Sequence, residues 1–188
     1  MSGKRSTKVY FRYIGILLIA VYFTVTNLSA KTKSYEAKAT FLKNEEVLNS
    51  MVEDVLGAKR SIFIAIYMFK TDDSTYQKST LLQEAIFKAL KNGVKVFVLM
   101  DIGKDGDITT EMNEETGEEL RKKGATVVFD SKDTKTHAKL MVIDEKITYV
   151  GSHNYTHSAF NYNNETTARI ESGGFALEAI KYIKEISR

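Results

Sequence analysis

His137-Ala138-Lys139-Leu140-Met141-Val142-Ile143-Asp144, followed by Gly151-Ser152-His153-Asn154, sets an imidazole, an ammonium, a hydroxyl and an amide where one phosphodiester can touch all four. Strand alternation puts His137, Lys139, Met141 and Ile143 on one face and Ala138, Leu140 and Val142 on the other. Asp144-Glu145-Lys146 reads as a short turn and Ile147-Thr148-Tyr149-Val150 as the returning strand. A three-residue turn sets Lys139 opposite Gly151 and His137 opposite His153. Gly151 lets the backbone approach a ligand closely, and Ser152 and Asn154 flank the His/Lys pair.

These residue types suit one reaction. A neutral imidazole nitrogen can attack phosphorus and form a phosphoryl-enzyme that water then hydrolyses. Histidine is partly uncharged at neutral pH and is therefore a competent nucleophile there. Lys139 supplies a cation, and Asn154 an amide donor, for the non-bridging oxygens. A carboxylate on the other ring nitrogen fixes the tautomer. Glu165 is the candidate, and Ser152 positions either the site or Glu165. Asp144 has the opposite strand parity from His137, so its expected role is structural, stabilising the turn or pairing with a cation. The leaving alkoxide needs a proton, for which a second imidazolium is the natural donor. The motif occurs once, so a single chain must obtain that donor elsewhere.

The pattern His-x-Lys-x4-Asp-x6-Gly-Ser-x-Asn resembles the complete HKD signature of the phospholipase D superfamily. Its continuation, Tyr155-Thr156-His157-Ser158-Ala159 to Asn164-Glu165, is similar to the small bacterial endonuclease branch. The resemblance runs from about Ala39 to the C-terminus. It implies a phospholipase D-like fold with one HKD motif per chain, a reaction that needs no metal or cofactor, and a homodimer. In that dimer each subunit contributes one His137 across a two-fold axis.

Outside the motif, the N-terminus is the most distinctive region. Lys4, Arg5, Lys8 and Arg12 precede an apolar run from Ile14 to Val25, and Ala30 offers a small residue for cleavage. This fits an export signal, residues 1–30, joined by a linker, 31–38, to a catalytic domain, 39–188. Counted from Val9 to Leu28 the segment is also long enough to span a bilayer, so cleaved signal and retained anchor both remain open. The expected location is periplasmic, or anchored to the inner membrane by this segment with the catalytic domain outside. The net charge of +3 comes from that segment. Removing its four cations leaves 23 Lys+Arg against 24 Asp+Glu, so global charge does not argue for nucleic-acid binding. Lys132, Lys135 and Lys139 supply a local basic patch, with a solvated loop as the other reading of the first two. Cysteine is absent, which excludes disulfides and thiolate metal sites.

Strand-length apolar runs at Ser61–Tyr67, Val94–Met100 and Thr126–Phe129 alternate with helical patterns at Glu45–Ala58, Ser79–Lys91 and Glu111–Lys123. Thr40–Leu42 is a short edge strand and Glu165–Ile170 a further strand. A last helix, Phe175–Ile186, turns Phe175, Ala179, Ile183 and Ile186 inward. The order predicts an α/β domain, a mixed β-sheet flanked by helices on both faces, with one antiparallel hairpin carrying the chemistry.

Competing readings attach to several residues. His153 and His157 are four apart and could share a helix face as part of a metal site, but the spacing is a weak signal and no metal is expected. The acidic stretch Asp101–Glu119 reads as a solvated loop and helix face. Tyr155, Phe160 and Tyr162 either stack on bases or pack the core; Tyr155 and Lys135 are the weaker substrate-binding candidates. The expected function is a metal-independent phosphodiesterase acting through a phosphohistidine, as a non-specific DNA or RNA endonuclease. A phospholipid hydrolase, of phospholipase D or cardiolipin type, is the alternative. A non-catalytic, membrane-tethered nucleic-acid-binding protein is the third reading.

Overall fold

The apolar runs at Ser61–Ile66 and Lys95–Met100 are buried along most of their length, which requires a covering layer on each side of the sheet they join. The structure, a computed structural model, describes residues 32–71, 77–103 and 106–187. The expected signal or anchor at residues 1–30 lies outside the described residues. Within them the elements are β1 (Lys38–Lys43), α1 (Glu46–Gly57), β2 (Ser61–Ile66), α2 (Lys78–Lys91), β3 (Lys95–Met100) and α3 (Ile108–Lys122). They continue as β4 (Thr126–Phe129), β5 (Lys139–Ile143), β6 (Ile147–Gly151), α4 (His157–Asn161), β7 (Thr166–Glu171) and α5 (Gly173–Ile186).

The strands form one sheet in the order β1-β7-β6-β5-β2-β3-β4. β2, β3 and β4 are parallel, joined by α2 and α3. β5 pairs antiparallel with β2, and the rest of the sheet, β6, β7 and β1, continues antiparallel. This is the mixed sheet that the alternation of patterns predicts. One core packs Val47, Met51 and Val55 of α1 and Leu82 and Ile86 of α2 against Ile62, Ile64, Val98, Met141 and Ile143. The other packs Ala176, Ile180 and Ile183 of α5 against Ala65, Leu99, Leu140 and Val142. Met141 and Ile143 thus face away from Leu140 and Val142, as their parity requires.

The hairpin register is also the expected one: Leu140 pairs with Val150, Met141 with Tyr149 and Ile143 with Ile147 across a turn at residues 144–146. The ladder to β6 stops at Leu140. Lys139 pairs on its other side with Ile66, and His137 lies beyond the end of β5 rather than within it. In α5 the buried stripe is Ala176, Ile180 and Ile183, with Ala179 and Ile186 only partly buried. Phe175 instead meets Tyr35 edge to face at 6.3 Å. Gly174 makes room for that ring, since a Cβ there would come within 2.6 Å of Tyr35 Cδ1. Tyr35 and Glu36 are tied to the domain, Tyr35 Oη donating to Glu178 at 3.2 Å and Ser172 Oγ to the Glu36 carbonyl at 2.7 Å.

Candidate active site

The C-terminal ends of β2 and β3 and the start of β5 meet at one rim of the sheet, where an open α/β sheet places its crevice. His137 is exposed there. The ring of Tyr67, the residue after β2, packs against its imidazole with centroids 4.5 Å apart and planes tilted by 51°. Lys139 Nζ lies 4.9 Å and Lys135 Nζ 5.1 Å from the centre of the same ring. Lys139 also donates to the His137 carbonyl at 3.0 Å. Partial desolvation, then the positive charges of Lys139 and Lys135, lower the His137 pKa and favour neutral imidazole. Burial also lowers the Lys139 pKa, against the opposing pull of Glu165 and Asp101.

A second group lies around β6 and β7. Ser152 Oγ donates to a carboxylate oxygen of Glu165. Asn163 Nδ2 donates to the other at 3.1 Å, and Thr166 N–H donates to Ser152 Oγ at 3.1 Å. Asn44 fixes the backbone of Glu165 from both sides: its Oδ1 accepts the Glu165 N–H at 3.1 Å and its own N–H donates to the Glu165 carbonyl at 3.0 Å. Ser152 therefore holds Glu165. Glu165 makes no hydrogen bond to His137 within this chain, contrary to the simplest form of the expected orienting role. Asn154 is half-buried, and its Oδ1 is buried with no partner.

Asp144 has a structural place. Its carboxylate accepts the backbone N–H groups of Lys59, Arg60 and Ser61 at 2.8, 2.7 and 3.0 Å, and the Arg60 guanidinium donates to its carbonyl. Burial alone would raise its pKa. The N–H donors and the Arg60 charge outweigh that and leave it lowered. These contacts tie the hairpin to the start of β2 and hold Asp144 and Glu145 at φ values of 53° and 56°, a left-handed turn that neither residue adopts freely.

Several expectations need correction. Tyr155 is 1% exposed, edge-on to Phe69 at 5.3 Å and stacked near Phe160, so it packs the core and cannot reach a base. Phe160 is buried as well, whereas Tyr162 is exposed. Gly151 accommodates β7 rather than a ligand, for a Cβ there would lie 2.3 Å from the Thr166 carbonyl oxygen. His153 does not share a helix with His157. It is 1% exposed, with Nδ1 2.8 Å from Thr167 Oγ1 and Nε2 3.1 Å from the Asn44 carbonyl. Burial lowers its pKa and favours the neutral form, against the opposing pull of the Asn44 carbonyl and Glu165. His157 Nδ1 accepts the Lys78 N–H at 3.1 Å. Both nitrogens of His153 and one of His157 are therefore taken, and among the described residues no group of three His, Cys, Asp or Glu side chains could hold a metal ion.

Sequence reading missed Tyr67, Asp101 and Asn113. Asp101 is 1% exposed rather than solvated; its Oδ1 accepts the Thr136 N–H at 2.6 Å, on the residue before His137, and its Oδ2 has no partner. Burial raises its pKa. Asn113 donates to the carbonyls of Tyr67 and Asp101 and accepts the Phe69 N–H, clamping the ends of β2 and β3 together. The available signal was position: Tyr67 and Asp101 each end an apolar parallel strand, where crevice residues collect.

The family described as "Cardiolipin synthase, PLD-like domain" matches residues 51–187. The chain belongs to this family, within the phospholipase D superfamily. A curated relative, minor cardiolipin synthase ClsB of Bacillus subtilis (strain 168), is 27% identical over 110 residues, covering 58% of this chain and 27% of the relative. The chain thus spans about a quarter of the length of the curated relatives it matches. Among solved structures, Nuc from Salmonella typhimurium, a phospholipase D family member, superposes with a TM-score of 0.68 at 19% identity, over 80% of this chain and 94% of Nuc. NucT from Helicobacter pylori gives 0.64 at 22% identity, over 80% of this chain and 96% of NucT. The phospholipase D-like fold follows from these superpositions.

Proposed function

We propose that this chain is a metal-independent phosphodiesterase that works through a phosphohistidine on His137, and that its substrate is nucleic acid. The observation that carries the reading is the exposed His137 imidazole and the two ammonium groups, Lys139 and Lys135, that share the Tyr67 ring with it. An imidazole held neutral attacks phosphorus, while Lys139 and the amide of Asn154 stabilise charge on the non-bridging oxygens. Support for nucleic acid comes from architecture. The domain spans nearly the whole of Nuc and NucT but only about a quarter of the cardiolipin synthases. The family description favours phospholipid as the second reading.

The leaving oxygen needs a proton donor, and the other two histidines are engaged structurally. We therefore assign the second imidazole to another copy of the chain, in a homodimer whose site is shared across a two-fold axis. Glu165, unbonded to His137 within one chain, then orients the histidine of the opposite copy. Residues 1–30 would direct export, or anchor the domain to the inner membrane with the catalytic part outside.

The test is turnover by the full chain in mild detergent, with single-stranded DNA, duplex DNA, RNA and phosphatidylglycerol vesicles, each with and without EDTA. Nucleic acids should be cut equally in chelator, with activity falling as salt rises because phosphate contacts release counterions. Faster turnover of lipid would install the second reading. Loss of activity in EDTA, restored by a divalent ion, would refute the mechanism.

A further inference from the structure

We propose that Tyr67 is a positioning residue of the active site: its ring orients the His137 imidazole and gathers the Lys135 and Lys139 ammonium groups beside it. This rests on the reading of His137 as nucleophile.

The mount is rigid. Tyr67 N–H donates to the Ala138 carbonyl at 2.9 Å, extending the β2–β5 pairing to the residue after His137. Its own carbonyl accepts from the buried Asn113 side chain at 2.8 Å, and the same side chain bonds Asp101 and Phe69. The ring itself belongs to neither hydrophobic core and is half-buried. It faces the imidazole at 4.5 Å and the two ammonium groups at 4.9 and 5.1 Å.

Two like charges would ordinarily separate in water. The negative face of an aromatic ring attracts each of them and offsets their repulsion. The charged groups acting on His137 are Lys135, from its own loop, and Lys139, from β5. Glu165 and Asp101 act on Lys139, and Lys135 acts on Asp101. With the ammonium groups held at the ring, protonation of His137 is opposed and a phosphate at the imidazole finds two cations around one ring. A ring that only filled space would move the His137 titration by desolvation alone, and its removal would leave the separate contribution of Lys135 intact.

The experiment is an NMR titration of the full chain in detergent, labelled at the histidine Cε1 carbons, alongside steady-state kinetics. His153 and His157 serve as internal controls. Tyr67→Leu should move the His137 midpoint upward, toward that of a free histidine, and leave the two controls in place. It should also lower kcat by roughly tenfold to a hundredfold, as misplaced catalytic groups do. Tyr67→Phe, which keeps the ring, should restore both. Lys135→Met should raise the midpoint in the unaltered chain and have little further effect beside Tyr67→Leu. An unmoved midpoint in folded Tyr67→Leu, or independent effects of the two changes, would overturn the proposal. Should Tyr67→Leu not fold, an unmoved midpoint in Lys135→Met overturns it as well. The titration needs no turnover: an active His137→Asn chain would refute the nucleophile and leave the test of Tyr67 standing.

Discussion

Asp144→Asn separates a structural aspartate from a catalytic one. Asp144 belongs to the motif that holds the proposed catalytic residues, yet its carboxylate accepts three backbone N–H groups from residues 59–61. In the best orientation the asparagine oxygen keeps the Arg60 and Ser61 donors, and its NH2 group then faces the Lys59 N–H, donor against donor. One charge-assisted bond is lost and two others become neutral. At about 1–3 kcal/mol for such a loss, and about 2–4 °C per kcal/mol for a domain of this size, the melting temperature should fall by roughly 2–12 °C. kcat, measured well below the transition, should stay within about threefold, because these contacts tie the hairpin turn to the start of β2 and touch no proposed catalytic group. The pH dependence has a definite sign. The folded pKa is depressed, so this stabilisation is present above the ordinary value of 3.8 and is lost as pH falls below it through the folded value. The melting temperatures of the two proteins should therefore converge in acid. Calorimetry and kinetics check both halves; a hundredfold fall in kcat with an unchanged melting temperature would refute the structural assignment.

Three further outcomes concern the candidate active site itself. His137→Asn should abolish turnover, while Lys139→Ala and Asn154→Ala should each lower kcat about a hundredfold, or about 3 kcal/mol of transition-state stabilisation. The acid limb of kcat/KM should lie below the ordinary histidine value of 6.5, because desolvation and the two lysines keep the imidazole neutral to lower pH. A limb at or above that value would contradict the electrostatic account. Mixing excess His137→Asn chains with wild type, after subunit exchange is verified, should suppress activity toward the fraction of remaining wild-type dimers, whereas activity linear in wild-type chains would exclude a shared site.

Most of the fold was legible because each element has its own periodicity. The hairpin register was legible too, since Leu140 and Val142 must face one core and Met141 and Ile143 the other. What escaped was decided by partners distant in sequence. In α5 Ile183 is buried as expected, but Ala176 and Ile180 join it in place of Phe175, whose ring meets Tyr35 from the segment before β1. Tyr155 follows the motif directly, yet it lies under Phe69 and Phe160, and no local pattern distinguishes a buried tyrosine from one offered to a base. Tyr67 and Asp101 lie far from the motif in the chain and reach it only through the order of strands. Ser152 was expected to position either the site or Glu165, and it bonds the Glu165 carboxylate; the second partner, Asn163, belongs to no pattern that the sequence offers.

The central claim is that phosphorus passes through a covalent bond to His137. Full-length chain mixed with a short oligonucleotide in EDTA, quenched in base within one turnover and digested for mass spectrometry, tests it most directly. The account predicts a nucleotidyl or phosphoryl adduct on the peptide containing His137, formed no slower than turnover and absent from His137→Asn. Sustained turnover in chelator with His137 unmodified throughout, or with the adduct on Ser152, would contradict it.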